Sequence, residues 1–168
     1  FYGISPNEYR NNKNFVIISN NCWGAEFYKH LNLPYNTPFV GLYIMAEDYI
    51  KLLENFEHYL SLKLIFTENS KWSNEKYNFP IGILDDIEIH FMHYKSNEEA
   101  FEKWNRRLDR MKQTSDYSNF FFKICDRDGG NAKTFERFHQ LSFPNKVSFG
   151  LEGFKNLNHI KIKEHENN

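Results

Sequence analysis

The sequence predicts a layered α/β fold, with a mixed, mostly parallel sheet, helices on both faces and one β-hairpin. Three observations support this prediction. Short runs of β-branched and aromatic residues alternate with stretches whose apolar residues recur at helical spacing. Two β-rich runs are separated only by Asp85 and Asp86, which predicts a hairpin and makes the sheet mixed. The length of 168 residues suits one ordinary domain with a sizeable core.

The first half of the chain alternates predicted strands and helices. Asn21 is the predicted N-cap of the first helix, and Glu47 with Asp48 places acidic side chains in the first turn of the second. The predicted strands are 15–19, 39–45 and 62–66, and the predicted helices are 22–31 and 47–60.

The second half begins with the hairpin at 79–94, followed by a helix that opens with a capping box at Ser96 and Glu99. The remaining predicted elements are a strand at 120–125, a turn at 126–130, a helix at 133–141 and a strand at 146–149. We therefore expect a single domain over 1–168, with a core at about 15–149 and a C-terminal extension at 150–168.

Composition and charge exclude several classes of function. With 21 Lys and Arg against 22 Asp and Glu, the formal net charge is −1, so we expect no nucleic-acid partner. No apolar run approaches the ~20 residues of a membrane-spanning helix, and no signal-peptide pattern opens the sequence. Two cysteines are too few for a disulfide scaffold. We expect a cytoplasmic protein, either free or bound peripherally at the inner face of the membrane.

Four polar clusters fall at predicted strand ends: 19–22, 47–48, 93–96 and 126–129. Ligands of open α/β sheets bind at the carboxyl ends of the strands. Helix N-caps use the same residue types, and capping is the favoured interpretation at 47–48 and at Ser96. We expect the strands ending at Ser19 and Cys125 to be parallel neighbours, which would bring Asn20 and Asp126 to one edge of the sheet.

Cys22 and His93 form a candidate catalytic pair. Cys22 begins a predicted helix, where partial positive charge favours a thiolate nucleophile. Alternation along a strand points His90 and His93 to opposite faces, and His93 lies nearer the carboxyl end, so His93 is the better base. A lone cysteine in apolar surroundings is more often a small buried side chain, and that alternative stays open.

Asp126 and Asp128 form a candidate metal site. Hard cations prefer carboxylate oxygens, so the pair could hold Mg²⁺ or Mn²⁺ against a diphosphate. Gly129 and Gly130 would let the backbone approach such a ligand closely. The pattern Asp-x-Asp-Gly is also a common turn, which is the competing interpretation. Scattered cysteines and histidines match no zinc-ligand spacing.

Three arginines follow the capping box: Arg106, Arg107 and Arg110. Arginine can grip phosphate or carboxylate groups through two parallel hydrogen bonds. Glu102 lies four residues before Arg106, and this spacing favours a solvated, salt-bridged helix face instead.

Two long blocks of sequence resemble a bacterial family. They are SNNCWGAEFYKHLNLPYNTPFVGLYIMAEDYIKLLENFEHYL and YNFPIGILDDIEIHFMHYKSNEEAFEKWNRR, and the resemblance continues through CDRDG and PNKVSF. The family carries a domain-of-unknown-function label, and its members are described as exopolysaccharide-biosynthesis proteins and sometimes as acetyltransferases or glycosyltransferases. It supplies no agreed catalytic residues. One departure is Ala25, where we expect a second glycine after Gly24.

The site prediction combines the residue chemistry with the family's signature positions. We expect Cys22, His93 and Asp126 to be catalytic, and Asp126 and Asp128 to bind a metal. Seven signature residues are expected to bind substrate: Asn20, Asn21, His90, Tyr94, Lys95, Arg106 and Arg127.

Three functions remain open. The first, which we favour, is a transferase of surface-polysaccharide assembly acting on a sugar nucleotide or a lipid-linked saccharide. The second is an acyltransferase or hydrolase using Cys22 and His93 with an acyl donor. The third is a non-catalytic domain that binds sugars or a partner through exposed aromatic rings, although 17 Phe, 10 Tyr and 3 Trp must mostly build core.

Overall fold

The computed structural model describes residues 15–154 and 157–163. The strands in chain order are β1 (Val16–Ser19), β2 (Ile65–Thr67), β3 (Ile81–Leu84), β4 (Ile87–His90), β5 (Phe120–Cys125), β6 (Asn145–Gly150) and β7 (His159–Lys161). The helices are α1 (Trp23–His30), α2 (Ala46–Glu54), α3 (Phe56–Ser61), α4 (Asn97–Met111) and α5 (Ala132–Gln140), with a short 3₁₀ helix at Tyr117–Asn119. The α/β fold class is confirmed.

A four-stranded parallel sheet, in the order β1-β5-β6-β7, forms the centre of the fold. In the β1–β5 pair, Val16 lies opposite Phe120 and Ser19 opposite Lys123. The amide of Asn20 continues the pairing by donating to the Lys123 carbonyl at 3.4 Å. The predicted parallel arrangement is therefore confirmed, and the residues that follow β1 and β5 meet at one edge of the sheet.

The two faces of this sheet bury different helices. Val16, Phe122 and Ile124 belong to the main apolar core, which also contains buried residues of α2 and α5. Ile17 belongs to a smaller cluster with Tyr28 of α1. Since side chains alternate along a strand, one sheet accepts helices on both faces, as the sequence predicts.

The predicted hairpin forms, and it belongs to a second sheet. β3 and β4 pair antiparallel around Asp85, whose φ of 55° gives the tight turn. β2 adds to the other side of β3, which completes an antiparallel three-stranded sheet. The hairpin therefore does not extend the parallel sheet.

The segment 39–45 links the two sheets instead of forming the predicted strand. Tyr43 makes a single antiparallel bridge with His90 at the end of β4. The next amide, that of Ile44, donates to the carbonyl of Asn20 just beyond β1 at 2.8 Å. Gly41 has a φ of 71°, which interrupts the extended backbone that a strand needs.

Several helix boundaries differ from the predictions. The predicted helix 47–60 is divided into α2 and α3 at Asn55, whose backbone leaves the helical region. The Ser96 cap is confirmed, since its hydroxyl accepts from the Glu99 amide at 3.2 Å. Asp48 is not a cap: it is buried, and it accepts a hydrogen bond from the amide of Glu88 in β4 at 2.8 Å. Among the helices of the described residues, none is long and apolar enough to cross a membrane.

β7 lies in the stretch predicted as a C-terminal extension. It pairs parallel with β6 and becomes the fourth strand of the central sheet. A hydrogen-bond chain fastens it: the hydroxyl of buried Ser148 on β6 lies 2.8 Å from His139 Nε2 of α5 and 2.8 Å from His159 Nδ1 of β7. The two imidazoles therefore connect a helix to the edge strand.

Acid should loosen this connection. Burial, with smaller contributions from Lys146 and His159, lowers the pKa of His139 below its usual value of 6.5. The unfolded chain therefore binds a proton before the folded chain does, and the free energy of unfolding falls as the pH drops below 6.5 towards the folded-state value. Urea unfolding between about pH 7.5 and 5.5 should show this slope, and His139→Gln should reduce it. Substitution of the exposed His30 by Gln is the control and should leave the pH dependence of the free energy of unfolding unchanged. If the parent protein and His139→Gln show the same pH dependence, His139 is not the residue responsible.

Candidate functional site

An open cleft of about 700 Å³ lies at the carboxyl ends of β1 and β5; we call it the edge cleft. Five of the predicted site residues line it: Asn21, Cys22, His93, Arg127 and Asp128. They come from three separate parts of the chain, and the parallel sheet with the linking segment 39–45 brings them together. This is the position at which α/β sheets bind ligands.

Lys123 of β5 is the main residue of the edge cleft that the sequence prediction missed. Its side chain is nearly buried, with 4% exposure, and its ammonium donates to Asn21 Oδ1 at 3.0 Å. Within the described residues, no carboxylate lies at ion-pair distance from it. A lysine buried without an ion pair is unusual, because an unneutralised ammonium is costly to desolvate.

Asn21 lies between this ammonium and the carboxylate of Asp128. Its Oδ1 accepts from Lys123, while its Nδ2 donates to Cys125 Sγ at 3.0 Å and to Asp128 Oδ2 at 3.4 Å. Asn21 Oδ1 also accepts from the Trp23 amide at 3.3 Å, so the predicted capping role is partly fulfilled, although α1 begins two residues later. One amide thus holds two opposite charges in the same cleft without letting them pair.

Burial shifts the two charged groups in opposite directions. It lowers the pKa of the Lys123 ammonium, although Cys125 and Asp128 raise that pKa by a smaller amount. It raises the pKa of Asp128, against the hydrogen bond from Asn21 and the positive charge of Lys123. Burial therefore destabilises both charged forms, and an anion bound nearby would favour the charged form of Lys123.

Alternation along β5 explains why Lys123 reaches the edge cleft. Phe122 and Ile124 point into the main core, so Lys123 between them points to the opposite face. Towards the carboxyl end, that face is covered by Trp23 at the start of α1, and the Lys123 ammonium lies 5.9 Å from the centre of its ring. In the sequence, Lys123 only interrupts an apolar run, and that interruption in a central strand was the available signal.

Cys22 and His93 both line the edge cleft, but among the described residues they are not hydrogen-bonded to each other. The Cys22 thiol lies 3.5 Å from the carbonyl oxygen of Leu42. Burial raises the pKa of this thiol, and the negative charges of Asp128 and Glu26 add to the effect. The direction is opposite to the one predicted from the helix terminus.

The two predicted metal ligands have different surroundings. Asp128 lines the edge cleft, whereas Asp126 Oδ2 accepts from the amide of Leu151, just after β6, at 2.7 Å. Gly130 explains the tight turn between them and α5, because an added Cβ would lie 2.2 Å from the Cys125 carbonyl oxygen. Among the described residues, no group of three or more His, Cys, Asp or Glu side chains is arranged to hold a metal ion.

His90 lies apart from the edge cleft, in a buried acidic cluster. Its Nε2 is 2.8 Å from Glu88 Oε1, and its ring stacks on Tyr43 with centroids 4.3 Å apart. Burial lowers the pKa of His90, and Glu88 partly opposes this. The neighbouring Asp48 accepts from Lys71 Nζ at 2.8 Å, which closes the loop 70–72 over the cluster. β4 ends at His90, so the predicted strand and its alternation do not continue to His93. His93 lines the edge cleft, which His90 does not.

The other predicted substrate-binding residues also lie outside the edge cleft. Asn20 is fully buried, and its Nδ2 has no hydrogen-bond partner within the described part of the chain. Tyr94 is buried against α4, where its hydroxyl accepts from Arg107. Lys95 is exposed at the start of α4, and Arg106 pairs with Glu102 at 3.3 Å on the exposed helix face, as the spacing predicts.

The comparison with known proteins identifies one family. A family model described as "Domain of unknown function (DUF1919)" matches residues 3–168. The chain belongs to this family. An uncharacterized protein of Haemophilus influenzae is 41% identical over 159 residues, which cover 93% of this chain and 72% of the relative. The predicted membership in a domain-of-unknown-function family is therefore confirmed.

The reactivity of Cys22 tests the electrostatics of the edge cleft. With its pKa raised, the thiol should react slowly with iodoacetamide near neutral pH, because the thiolate is the reacting form. Asp128→Asn should accelerate the reaction by removing a negative charge near the sulfur. Rates are measured by mass spectrometry in a Cys125→Ala background, with the exposed Glu102→Gln as the matched control. Rapid alkylation of the parent at neutral pH would instead support a thiolate nucleophile.

Proposed function

We propose that this protein is a transferase that binds an activated sugar, through its phosphate groups, in the edge cleft. The observation that carries the proposal is the Lys123 ammonium, which is nearly buried, faces the cleft and has no carboxylate partner within the described residues. An ammonium in such a place is stabilised when an anionic ligand arrives. The family resemblance supports surface-polysaccharide assembly as the setting.

The surroundings of Lys123 suit a phosphorylated donor. Arg127 adds a second, exposed positive charge on the wall of the edge cleft. The phosphate charge that develops as a donor is cleaved needs preorganised positive groups, and a buried ammonium supplies one without rearrangement of water.

Aromatic rings offer a surface for the sugar or the base. Trp23 is 36% exposed and lines the edge cleft together with Tyr43. Phe149 of β6 supports the Trp23 ring at a centroid distance of 5.8 Å. A braced, exposed indole presents a flat apolar face at little cost in conformational entropy.

Asp128 is the proposed general base. Its raised pKa brings the carboxylate closer to the value at which it can take a proton from an acceptor hydroxyl near neutral pH. Its backbone has a positive φ of 59°, and its carbonyl accepts a hydrogen bond from the Ala46 amide at 2.7 Å. The proposed base lines the same cleft as the Lys123 ammonium.

The cysteine-dependent reaction is the second candidate. Cys22 and His93 do share the edge cleft, which favours it. The raised pKa of the thiol argues against it, because an unassisted thiol is a weak nucleophile. In the transferase proposal, Cys22 lines the cleft as an uncharged thiol and takes no part in the reaction.

Calorimetric titration with UDP-glucose and with inorganic diphosphate tests the proposal. Both should bind to the parent protein, and Lys123→Met should weaken both by at least about tenfold, since a hydrogen bond to a charged group is lost. The same change should preserve or raise the melting temperature, because it replaces a buried ammonium with an apolar chain of similar length. The exposed Lys63→Met is the matched control.

Titrations with and without Mg²⁺ distinguish diphosphate binding through Lys123 from diphosphate binding through a metal ion. Binding through Lys123 needs no metal, so it should be unchanged when Mg²⁺ is removed. If binding requires Mg²⁺ and is lost in Asp126→Asn, the predicted metal at Asp126 and Asp128 holds the diphosphate instead. Absence of binding to either ligand, with or without Mg²⁺, would refute the activated-sugar proposal.

A further inference from the structure

A second pocket, of about 290 Å³, adjoins the edge cleft and contains Arg107 of α4; we call it the Arg107 pocket. Cys22, Glu26 and His93 line both spaces, so the two meet along these side chains. Arg107 is 8% exposed, which is rare for arginine unless it is paired.

The Arg107 guanidinium is firmly positioned. One of its terminal nitrogens, Nη1, donates to the Tyr94 hydroxyl at 2.5 Å, and that hydroxyl donates to the carbonyl of Val40 at 2.6 Å. The ring of Tyr35 lies against the same group, 5.0 Å from the guanidinium carbon. A guanidinium fixed by a hydrogen bond and an aromatic ring loses little further freedom when a ligand binds.

The charge of Arg107 is not neutralised by a neighbouring acid. Within the described residues, no carboxylate lies at ion-pair distance from it. The other two cations of the pocket are already paired, Lys29 with Glu26 at 2.6 Å and Lys103 with Glu99 at 2.5 Å. The pocket therefore has one uncompensated positive charge, presented on a planar group whose remaining N–H donors can form a pair of parallel hydrogen bonds.

We propose that the Arg107 pocket binds a singly charged oxyanion, a carboxylate or a phosphodiester, on the acceptor substrate. Two oxygens sharing one negative charge match both the charge and the flat donor edge of Arg107. The assignment to the acceptor rests on the proposed function, in which the donor occupies the edge cleft. The acceptor would then reach the donor past Cys22 and His93, and it would be an acidic saccharide or a phosphate-bridged one.

Titration of the isotopically labelled protein with three small molecules tests this site. D-glucuronate supplies the carboxylate, dimethyl phosphate the phosphodiester, and D-glucose the neutral control. The expected result is a saturable shift of the Arg107 Nε–H signal with at least one anion and none with glucose. Whichever anion binds more tightly identifies the source of the charge. No saturable shift with either anion, or equal shifts with glucose, would overturn the proposal.

Two variants locate the effect. Arg107→Lys keeps the charge but loses the planar fork, so anion affinity should fall by about tenfold or more. Arg106→Gln removes the neighbouring exposed arginine and should leave affinity unchanged. The melting temperature establishes that each variant is folded, and the Nε–H measurement on the parent protein decides the matter if Arg107→Lys unfolds. Unaltered anion affinity in a folded Arg107→Lys would also overturn the proposal.

UDP-glucose binding distinguishes failure of the Arg107 pocket proposal from failure of the proposed transferase function. A folded Arg107→Lys should still bind UDP-glucose, because Lys123 does not line the Arg107 pocket. If glucuronate binding depends on Arg107 while UDP-glucose never binds, the oxyanion site stands, but its assignment to an acceptor of the transferase is overturned. If UDP-glucose binds and neither anion does, only the Arg107 pocket proposal fails.

Discussion

The parallel pairing of β1 with β5 is the constraint on which the rest of the structure depends. Because Ser19 lies opposite Lys123, the chain leaves β1 beside the end of β5, and Asn21 can contact Lys123, Cys125 and Asp128 from more than 100 positions away. The same pairing exposes the Asn20 carbonyl to the Ile44 amide, which fastens the segment linking the two sheets. A shift of one residue in this register would turn Lys123 into the main core.

Asn21 keeps the charges of Lys123 and Asp128 apart at the carboxyl edge of the parallel sheet. A direct ion pair between Lys123 and Asp128 would neutralise both groups, and it would leave the cleft with little attraction for an anion. An amide between them satisfies both groups with hydrogen bonds while leaving both charges available. Replacing buried charges with apolar side chains is often neutral or stabilising, and groups whose pKa values burial shifts in this way are concentrated at functional sites.

Local patterns predicted the elements, whereas contacts between distant residues decided the site. The strand at 120–125, the hairpin turn at Asp85 and the Ser96 cap follow from neighbouring residues, and each formed as expected. Lys123 is buried by distant parts of the chain, and the periodicity of apolar residues in the sequence does not predict such contacts. β7 is a short, half-exposed strand identified only by its register with β6. The role of Asp48 depends on the loop 70–72, which carries no motif.

The ionisation of Lys123 tests the central claim most directly. Its pKa can be measured by following the ¹³Cε and ¹⁵Nζ signals of selectively labelled lysine, with Lys123→Met to assign the resonance. The account predicts a pKa below the usual lysine value in the free protein and a rise when diphosphate is added, because the anion compensates the buried charge. An ordinary value that diphosphate leaves unchanged would contradict the account, since Lys123 would then be a solvated side chain with no part in anion binding.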